Sequence, residues 1–425
     1  MRVLIVGNGG REHAILEQVL RSKNLDRVFV APGNGGTASK AQNIPIASDD
    51  IPALIKFTKD NHVSLTIVGP ELPLTLGITD AFQKENLAIF GPSQNASLVE
   101  GSKIFTKTFC AEHGIPTADF KIFNDAKVAI EFLRQKNRFP IVIKANGLAA
   151  GKGVVIANTL EEGAQAIEEI MISGKFGPSG KEIVIEDFLT GEEASFIVVS
   201  DGKNFVELPS SQDHKRLLDE DRGPNTGGMG ASSPTPVLTE VIKEKVRQKI
   251  IAPTLKGLEK QGRRYVGFLY AGLMISEKGE PFLIEYNCRL GDPEAQVILP
   301  RVRSHFLDMI EHALHGTLDR YKIEFEKEAC AGVVLASKGY PGTSEKNLPI
   351  TGLEAVSDPQ VLIFHAGTKK TGDQFFTNGG RVLTVSAKGM NLKSAIQKVY
   401  DAVQKIHFEG MHYRTDIGAK GLQHD

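Results

Sequence analysis

The sequence predicts a multidomain α/β and α+β protein, with a doubly wound parallel sheet at its amino terminus and a small mixed domain at its carboxyl terminus. Its 425 residues correspond to two to four domains at roughly 100–200 residues each. The first hundred residues alternate short apolar runs with amphipathic stretches, and that alternation stops after Gly91-Pro92. A hydrophobic fraction of 41% with 24% charged residues is typical of a chain that buries a large core.

The amino-terminal region predicts four buried strands connected by helices. The strands are Val3–Val6, Val28–Val30, Leu65–Val68 and Leu87–Phe90, and the helices include Glu12–Ser22 and Ile51–Asp60. Such βα alternation favours a mostly parallel sheet. Ligands of these sheets lie beyond the carboxyl ends of the strands, where Gly7, Gly33 and Gly69 occur.

The middle region mixes longer helices with strands. Helices are predicted over Ser102–His113, Lys127–Gln135, Leu160–Ile172 and Leu238–Lys260. Strands are predicted near Phe120 and over Ile141–Lys144, Val154–Ala157, Ile183–Phe188, Ala194–Ser200, Phe205–Leu208, Tyr265–Ser276 and Pro281–Asn287. Between Pro209 and Pro236 the composition predicts a long irregular loop, a length usual for functional or disordered segments.

The remainder, from about Phe325, predicts strands Gly332–Ser337, Val361–His365 and Arg381–Ser386 and a helix over Leu392–Ile406. We therefore expect domains at 1–101, 102–324 and 325–425, with a separate lobe at about 115–190 inside the second domain.

Charge and cysteine content exclude several classes of protein. With 50 basic and 51 acidic residues the net charge is −1, which argues against nucleic acid as a partner. There is no run of about 18 apolar residues for a membrane span, and the short apolar start predicts a strand rather than a signal peptide. Three distant cysteines without a CxxC pair favour a reducing, cytoplasmic location and no structural zinc.

The first glycine-rich loop, Gly7-Asn8-Gly9-Gly10, follows a strand and opens a helix. Glu12 stands at the third glycine position of a dinucleotide fingerprint, and the second strand ends without the acidic residue that would bind a ribose. A nicotinamide-dependent dehydrogenase is therefore disfavoured. The loop either binds an anion through its backbone N–H groups or is only a tight turn.

The second glycine-rich segment runs from Lys144 to Gly153 between two predicted strands. It departs from the Walker A spacing and is followed by a strand rather than a helix. We expect a flap that folds over nucleotide phosphates, with Lys144 and Lys152 countering their charge. The alternative is a flexible hairpin with a solvated lysine.

An acidic and amide pair ends the last strand of the middle region. Period-two alternation puts Glu285 and Asn287 on one face, and their oxygens suit Mg²⁺ bridging substrate phosphates. Arg289 and Asp292 follow, and a buried arginine there would clamp an anion. The alternative is a surface salt bridge at a helix start.

The ordered motifs of the chain together resemble one enzyme family. They are Gly7-Asn8-Gly9-Gly10-Arg11-Glu12-His13, Ala31-Pro32-Gly33-Asn34, Val68-Gly69-Pro70-Glu71, Gly101-Ser102-Lys103, the Lys144–Gly153 flap, Gln212-Asp213-His214-Lys215-Arg216, Gly223-Pro224-Asn225-Thr226-Gly227-Gly228-Met229-Gly230, Asn287-Cys288-Arg289-Leu290-Gly291-Asp292-Pro293-Glu294, His365-Ala366-Gly367-Thr368 and Thr377-Asn378-Gly379-Gly380-Arg381. They resemble the glycinamide ribonucleotide synthetases (phosphoribosylamine–glycine ligases), a family of the ATP-grasp superfamily, along essentially the whole chain.

The resemblance implies an ATP-grasp core and the substrates ATP, glycine and 5-phosphoribosylamine. The products would be ADP, phosphate and glycinamide ribonucleotide, formed through glycyl phosphate in purine biosynthesis. Mg²⁺ or Mn²⁺ is the implied metal, the lobe at about 115–190 becomes the nucleotide lid, and we expect a monomer or weak homodimer.

The resemblance also implies roles for individual residues. Lys144, Arg289 and Asp213 are the expected catalytic residues, and Glu285 and Asn287 the metal ligands. The expected nucleotide contacts are Lys103, Lys144, Gly147, Gly151, Lys152, Gly153, Glu186, Phe188, Leu189, Glu193 and Asn225. The expected contacts with the other substrates are Gly9, Gly10, His214, Lys215, Arg216, Gly228, Met229, Arg289, Asp292 and Pro293.

Two departures from the family pattern stand out. Asn146 occupies a flap position where relatives usually carry Asp, which removes one negative charge and alters the hydrogen bonding available to the flap. The strand before Glu285, Tyr270–Met274, is apolar and offers no second carboxylate for a metal. Two other functions stay open: a related carboxylate–amine ligase for a different acid, and a nucleotide-binding regulatory protein without chemistry.

Overall fold

The amino-terminal domain is the predicted parallel sheet with helices on both faces. The structure is a computed structural model that describes residues 1–148, 153–174 and 176–423. The elements are β1 (Arg2–Gly7), α1 (Gly10–Val19), β2 (Arg27–Pro32), β3 (Gln42–Asn43), α2 (Ile51–Asp60), β4 (Leu65–Val68), α3 (Glu71–Thr75), α4 (Ile78–Lys84), β5 (Ile89–Phe90) and α5 (Leu98–Gly101). The strands are ordered β3-β2-β1-β4-β5 and all pair in parallel.

Both faces of this sheet are covered, and β1 shows why its sequence is apolar throughout. Leu4 and Val6 enter one hydrophobic core and Val3 and Ile5 the other, and all four are fully buried. A strand buried on two faces is expected to be continuously hydrophobic rather than alternating. The same two cores include residues of the central sheet, so the two domains pack as one body at this end.

The next segment builds a small lobe with its own core. Its elements are α6 (Lys103–His113), β6 (Phe120–Phe123), α7 (Ala126–Lys136), β7 (Ile141–Ala145), β8 (Val154–Ala157), α8 (Leu160–Met171) and β9 (Ile183–Asp187). The antiparallel sheet is ordered β6-β9-β7-β8, and α7 and α8 cover one face. Side chains of Ser102, Asp125 and Thr159 cap α6, α7 and α8.

The central region follows the small lobe in the chain and contains a four-stranded antiparallel sheet. The region comprises β10 (Glu192–Asp201), β11 (Phe205–Glu207), β12 (Gln212–Asp213), β13 (Arg216–Leu218), β14 (Arg222–Asn225), β15 (Gly230–Ser233), α9 (Glu240–Val246), α10 (Ala252–Lys260), β16 (Val266–Ile275), β17 (Pro281–Asn287), α11 (Ala295–Ile298) and α12 (Phe306–His315). The antiparallel order is β11-β10-β16-β17. The helix predicted over Leu238–Lys260 is α9 and α10 joined by a π-helical turn, Arg247–Ile251.

The prediction of a long irregular loop over Pro209–Pro236 is wrong, because this segment forms four short strands. β13 and β14 make a hairpin, while β12 and β15 pair with each other and extend a sheet of the carboxyl-terminal domain. The strand Gly230–Ser233 consists of Gly, Ala and Ser, which have little intrinsic strand preference. Its conformation is set by pairing with Ala331 and its neighbours, about a hundred residues later, which local composition does not reveal.

The carboxyl-terminal domain is mixed, as predicted. It contains β18 (Ala329–Ala336), β19 (Pro349–Ile350), β20 (Val361–His365), β21 (Thr368–Thr371), β22 (Gln374–Thr377), β23 (Arg381–Gly389), α13 (Leu392–Val403) and α14 (Ala419–Leu422). One sheet is ordered β12-β15-β18-β23-β20 and a smaller one β19-β22-β21. Within the described ranges, the helices are all too short or too polar to cross a membrane.

Candidate active site

Glu285 and Asn287 lie on one face of β17 at the edge of the cleft below the small lobe. They pair across the sheet with Gly272 and Tyr270, two positions apart, and both are half-buried while Tyr286 between them is buried on the opposite face. Gly272 has no side chain, and a Cβ there would lie 3.3 Å from the Glu285 side chain. The neighbouring strand therefore leaves room around Glu285 without adding a second carboxylate.

Lys215 places an ammonium group among the carboxylates of this cleft. Its Nζ lies 3.2 Å from Glu193 Oε2 and 3.6 Å from Glu285 Oε1. Burial alone would lower the pKa of Lys215, but Glu193, Asp213 and Glu285 raise it well above its usual value. Burial also disfavours the charged form of Glu285, yet Lys215, Lys144 and Lys103 lower its pKa. Both groups are therefore charged at neutral pH.

Asp213 lies on β12, two residues before Lys215. Burial is the main influence on its carboxyl, and it raises the pKa to about 8. Lys215 opposes that rise, whereas Glu294, Glu193 and Glu285 add to it. A carboxyl with this pKa exchanges a proton near neutral pH, which is the range that general acid–base chemistry needs.

Lys144, at the end of β7, is held by a buried carboxylate. Its Nζ lies 3.0 Å from Glu186, and Glu186 also pairs with Lys107 Nζ at 2.8 Å. The three side chains are almost completely buried. Burial lowers the pKa of Lys107 and Glu186 opposes this. Glu186, a predicted nucleotide contact, therefore pairs its carboxylate with two lysines. Sequence reasoning did not identify one of them, Lys107.

The flap of the small lobe is described in part. Lys103 Nζ donates to the Gly147 carbonyl at 3.1 Å, which ties the start of α6 to the start of the flap. Gly153 lies just before β8, whereas the predicted contacts Gly151 and Lys152 lie outside the described residues. Directly after β9, Phe188 is exposed and Leu189 is half-buried.

Arg289 sits between two acidic side chains of the amino-terminal region. Its Nε lies 3.1 Å from Glu71 and its Nη2 3.1 Å from Glu100. Burial opposes ionisation of Glu71, but Arg289 and Arg11 lower its pKa to about 2. Burial dominates at Glu100 and raises its pKa. The Arg289 side chain is 17% exposed, and its two acidic partners come from segments about 190 and 220 residues earlier in the chain.

The first glycine loop packs tightly against the segment that follows Arg289. The carboxylate of Glu12 accepts from Gly9 N at 2.5 Å, and Asp292 Oδ2 accepts from Arg11 N at 3.3 Å. A Cβ on Gly9 would lie 2.9 Å from both carboxylates, and one on Gly10 would collide with Gln296. Glycine is therefore needed at positions 9 and 10 because the side chains of Glu12, Asp292 and Gln296 lie so close to the backbone. The comparison of this loop with a dinucleotide fingerprint did not indicate this close packing.

The segment from His214 to Met229 divides between the cleft and the interior. His214 is buried and accepts from Gly418 N at 3.3 Å, and burial lowers its pKa to about 4. Arg216 donates to the Gly223 carbonyl at 2.8 Å within the β13–β14 hairpin that ends at Asn225. Met229 is fully buried. The buried His214 and Met229 therefore pack into the interior, and Arg216 stabilises the hairpin between them.

The Gly228 turn is fitted against the cis peptide bond between Asp292 and Pro293. Gly228 has φ +113°, and a Cβ on it would collide with Pro293. Arg381 bridges the two segments, donating from Nη1 to the carbonyls of Gly227 and Asp292 at 2.6 Å each. Sequence reasoning assigned no role to Arg381, Glu71 or Glu100. The first two lie within the family motifs, whereas Glu100 directly precedes the Gly101-Ser102-Lys103 motif.

The chain matches family models along most of its length. Residues 1–100 match the N domain of phosphoribosylglycinamide synthetase, residues 101–295 its ATP-grasp (A) domain, and residues 330–420 its C domain. Among named proteins, it is 49% identical to the phosphoribosylamine–glycine ligase of Vibrio cholerae over 99% of both chains. It is 47% identical to that of Haemophilus influenzae, covering 100% of this chain and 99% of the relative.

Solved structures show the same fold. The phosphoribosylamine–glycine ligase of Thermotoga maritima superposes with a TM-score of 0.85 at 36% identity, covering 98% of this chain and 100% of that one. The biotin carboxylase domain of a Hydrogenobacter thermophilus 2-oxoglutarate carboxylase superposes with a TM-score of 0.72 at 14% identity, covering 100% and 98%. The predicted fold class, with its ATP-grasp core, is therefore confirmed. From the family matches over residues 1–295 and 330–420 and the relatives at 47–49% identity, this chain belongs to the phosphoribosylglycinamide synthetase family.

Proposed function

We propose that this protein joins glycine to 5-phosphoribosylamine with ATP, forming glycinamide ribonucleotide, ADP and phosphate in purine biosynthesis. The observation that carries the proposal is the match to all three synthetase domains along one chain, with 49% identity to a named ligase. The cleft adds chemical support because it gathers several lysines, an arginine and ionised carboxylates around the end of β17.

The first step activates glycine. One carboxylate oxygen of glycine attacks the γ-phosphorus of ATP, the bond to the β-phosphate oxygen breaks, and ADP leaves with glycyl phosphate formed. Phosphoryl transfer needs positive charge around the moving group. We assign that charge to Lys103 and Lys144, with Gly147, Gly151, Lys152 and Gly153 as the lid. Lys144 suits the task because Glu186 fixes its ammonium at 3.0 Å.

The nucleoside portion of ATP is assigned to the junction of the small lobe and the central sheet. Phe188 and Leu189 follow β9 and would line the base, with Glu186 at the end of the same strand. Glu193 is the second residue of β10 and would accept hydrogen bonds from the ribose hydroxyls, and Asn225 would reach the nucleotide from the hairpin.

Glu285 and Asn287 are the proposed metal ligands. Their oxygens face the same side of β17, and Glu285 is ionised, so the pair fits a hard divalent cation. The described residues contain no group of three His, Cys, Asp or Glu able to hold a metal by themselves. We therefore propose Mg²⁺, or Mn²⁺, with its other ligands from phosphate oxygens and water. When bound, the ion neutralises charge on the phosphates during transfer.

In the second step the amine nitrogen of phosphoribosylamine attacks the acyl carbon of glycyl phosphate. The C–O bond to phosphate breaks, phosphate leaves, and the nitrogen loses one proton. Asp213 is our candidate acceptor of that proton, because burial raises its pKa to about 8. Arg289 would stabilise the departing phosphate, and Lys215 would offset the repulsion between the Glu193 and Glu285 carboxylates.

The amino-sugar side is assigned to the meeting of three loops. Gly9 and Gly10 would contact the ribose 5-phosphate at the start of α1, beside Asp292 and Pro293. The remaining contacts are assigned to the loop that carries His214, Lys215, Arg216, Gly228 and Met229. Because His214 and Met229 are buried, we propose that they shape this loop rather than touch the substrate directly.

Substrate omission tests the proposed reaction. We expect ADP release only with glycine and phosphoribosylamine together, and release unaffected by leaving out glycine would overturn the proposal. A panel of amino acids in place of glycine separates this activity from a related ligase for another acid. Glu285→Ala should abolish most turnover, while Glu280→Gln on the same hairpin, exposed and paired with Lys245, should not.

We also propose a cytoplasmic location and a monomeric or weakly dimeric state. Cys110, Cys288 and Cys330 are buried and free, which is compatible with a reducing compartment. Sedimentation velocity over a hundredfold range of protein concentration tests the oligomeric state, and a stable larger assembly would contradict it.

A further inference from the structure

Asn146, directly after β7, touches three separate segments with one side chain. Its Oδ1 accepts from Ser102 Oγ at 2.9 Å and from Ile104 N at 3.0 Å, so it helps to cap α6. Its Nδ2 donates to Glu182 Oε2 at 3.1 Å, just before β9. The amide therefore joins the starts of α6 and β9 to the end of β7.

These three segments carry the residues assigned to the nucleotide. Lys103 opens α6, Lys144 lies on β7, and Glu186 lies on β9. The backbone of Asn146 strengthens the junction, since its carbonyl accepts from Lys103 N at 3.0 Å. The Asn146 side chain therefore contacts the segments that carry both lysines.

The neutral amide matches its acidic partner. An aspartate at position 146 would keep an acceptor for Ser102 and Ile104, but it would lose the donor toward Glu182. It would also place one carboxylate about 3 Å from another. Like charges at that distance repel strongly when partly removed from water.

We propose that Asn146 is a positioning residue, which through its hydrogen bond to Glu182 sets the distance between Lys103 and Lys144 at the ATP phosphates. Asparagine is required at this position because its partner in this chain is a carboxylate. The assignment rests on the proposed use of ATP, and it goes beyond it by naming a residue pair that touches no substrate.

Four proteins test the pair: wild type, Asn146→Asp, Glu182→Gln and the double variant. Loss of one hydrogen bond to a charged group with added repulsion should raise the KM for ATP on the order of tenfold in Asn146→Asp. The KM for glycine should stay within about twofold of the wild-type value, because we expect a local shift of the two lysines to leave the glycine-binding site unchanged. Glu182→Gln keeps an acceptor for Asn146 and should resemble wild type.

The double variant distinguishes positioning from a general structural defect. The glutamine amide introduced at position 182 can donate to the aspartate introduced at position 146, so this variant should recover most of the ATP affinity lost in Asn146→Asp. Asn158→Asp is a matched control, because Asn158 Nδ2 donates to Glu162 Oε2 at 3.3 Å on the exposed side of the same lobe. That variant should leave both KM values unchanged.

Calorimetric binding of ADP with Mg²⁺ provides a readout that needs neither glycine nor phosphoribosylamine. An unchanged ADP affinity in Asn146→Asp, or a double variant no better than Asn146→Asp, would overturn the positioning role. An equal rise in the KM values for ATP and glycine would overturn it as well. Failure of the proposed reaction would appear separately, as a wild-type protein that binds ADP but forms no ADP from ATP when glycine and phosphoribosylamine are both supplied.

Discussion

The Lys144 ammonium lies 3.0 Å from the Glu186 carboxylate, with the two side chains 5% and 4% exposed. Lys107 approaches the same carboxylate at 2.8 Å. One negative charge therefore stabilises two buried positive charges. Losing it leaves both ammonium groups without a full counter-charge in a place that water does not reach.

Glu186→Gln should reduce kcat/KM for ATP on the order of 10- to 100-fold, because Lys144 loses its charged anchor. Steady-state ADP release measures this. The exposed pair of Glu131 with Arg134, at 3.4 Å, supplies the control variant Glu131→Gln, which should behave as wild type. Equal activity in both variants would contradict the anchoring role.

Asp213→Asn should remove an acidic limb from the pH–rate profile. The pKa of Asp213 is raised to about 8, so the fraction able to accept a proton grows as the pH rises through that value. In wild type we expect kcat/KM for phosphoribosylamine to increase up to about pH 8 and then level off. A limb that persists unchanged in Asp213→Asn would show that another group causes it.

His214→Gln should make the free energy of unfolding less dependent on pH in acid. The pKa of His214 falls from 6.5 to about 4 in the folded protein, so between these values the unfolded chain binds more protons. Stability is therefore complete above pH 6.5 and declines as the pH falls toward 4, by about 3 kcal/mol for this group. Urea unfolding at several pH values measures the slope, with the exposed His315→Gln as control. Equal slopes in wild type and His214→Gln would contradict the assignment.

Arg414→Met should destabilise the protein and weaken ATP binding together. The Arg414 side chain is 1% exposed and pairs with Asp221 at 2.9 Å and Asp416 at 2.7 Å, holding the β13–β14 hairpin against the carboxyl-terminal segment. Removing a buried partner of this kind costs about 3 kcal/mol. Thermal melting and the KM for ATP report the two effects. The control variant Arg303→Met, at an exposed arginine, should change neither the melting temperature nor the KM for ATP. A normal KM for ATP in Arg414→Met would show that the hairpin does not contribute to nucleotide binding.

Local sequence signals account for much of this fold and for part of the site. Capping residues such as Ser102 and Asp125 mark helix starts, and alternation places Glu285 and Asn287 on one face. Both depend only on neighbouring residues, so they can be recognised without knowing the tertiary structure.

Other relationships depend on distant parts of the chain. Arg289 meets Glu71 and Glu100 only after the amino-terminal and central domains have packed together. The strand Gly230–Ser233 has a weak preference of its own and is formed by its neighbour β18. Neither feature has a local signature, which is why the acidic partners were missed and the strands were predicted as loop.

The sheet shared by β12, β15 and β18 determines when the site can be completed during synthesis on the ribosome. The strand Gly230–Ser233 is translated about a hundred residues before β18, which pairs with it, whereas the strands of the amino-terminal sheet and of the small lobe pair within their own segments. Domains that close early can fold while translation continues. Asp213 lies on β12, which joins this sheet through β15, so the sheet around Asp213 is completed only after Ala329–Ala336 has been synthesised.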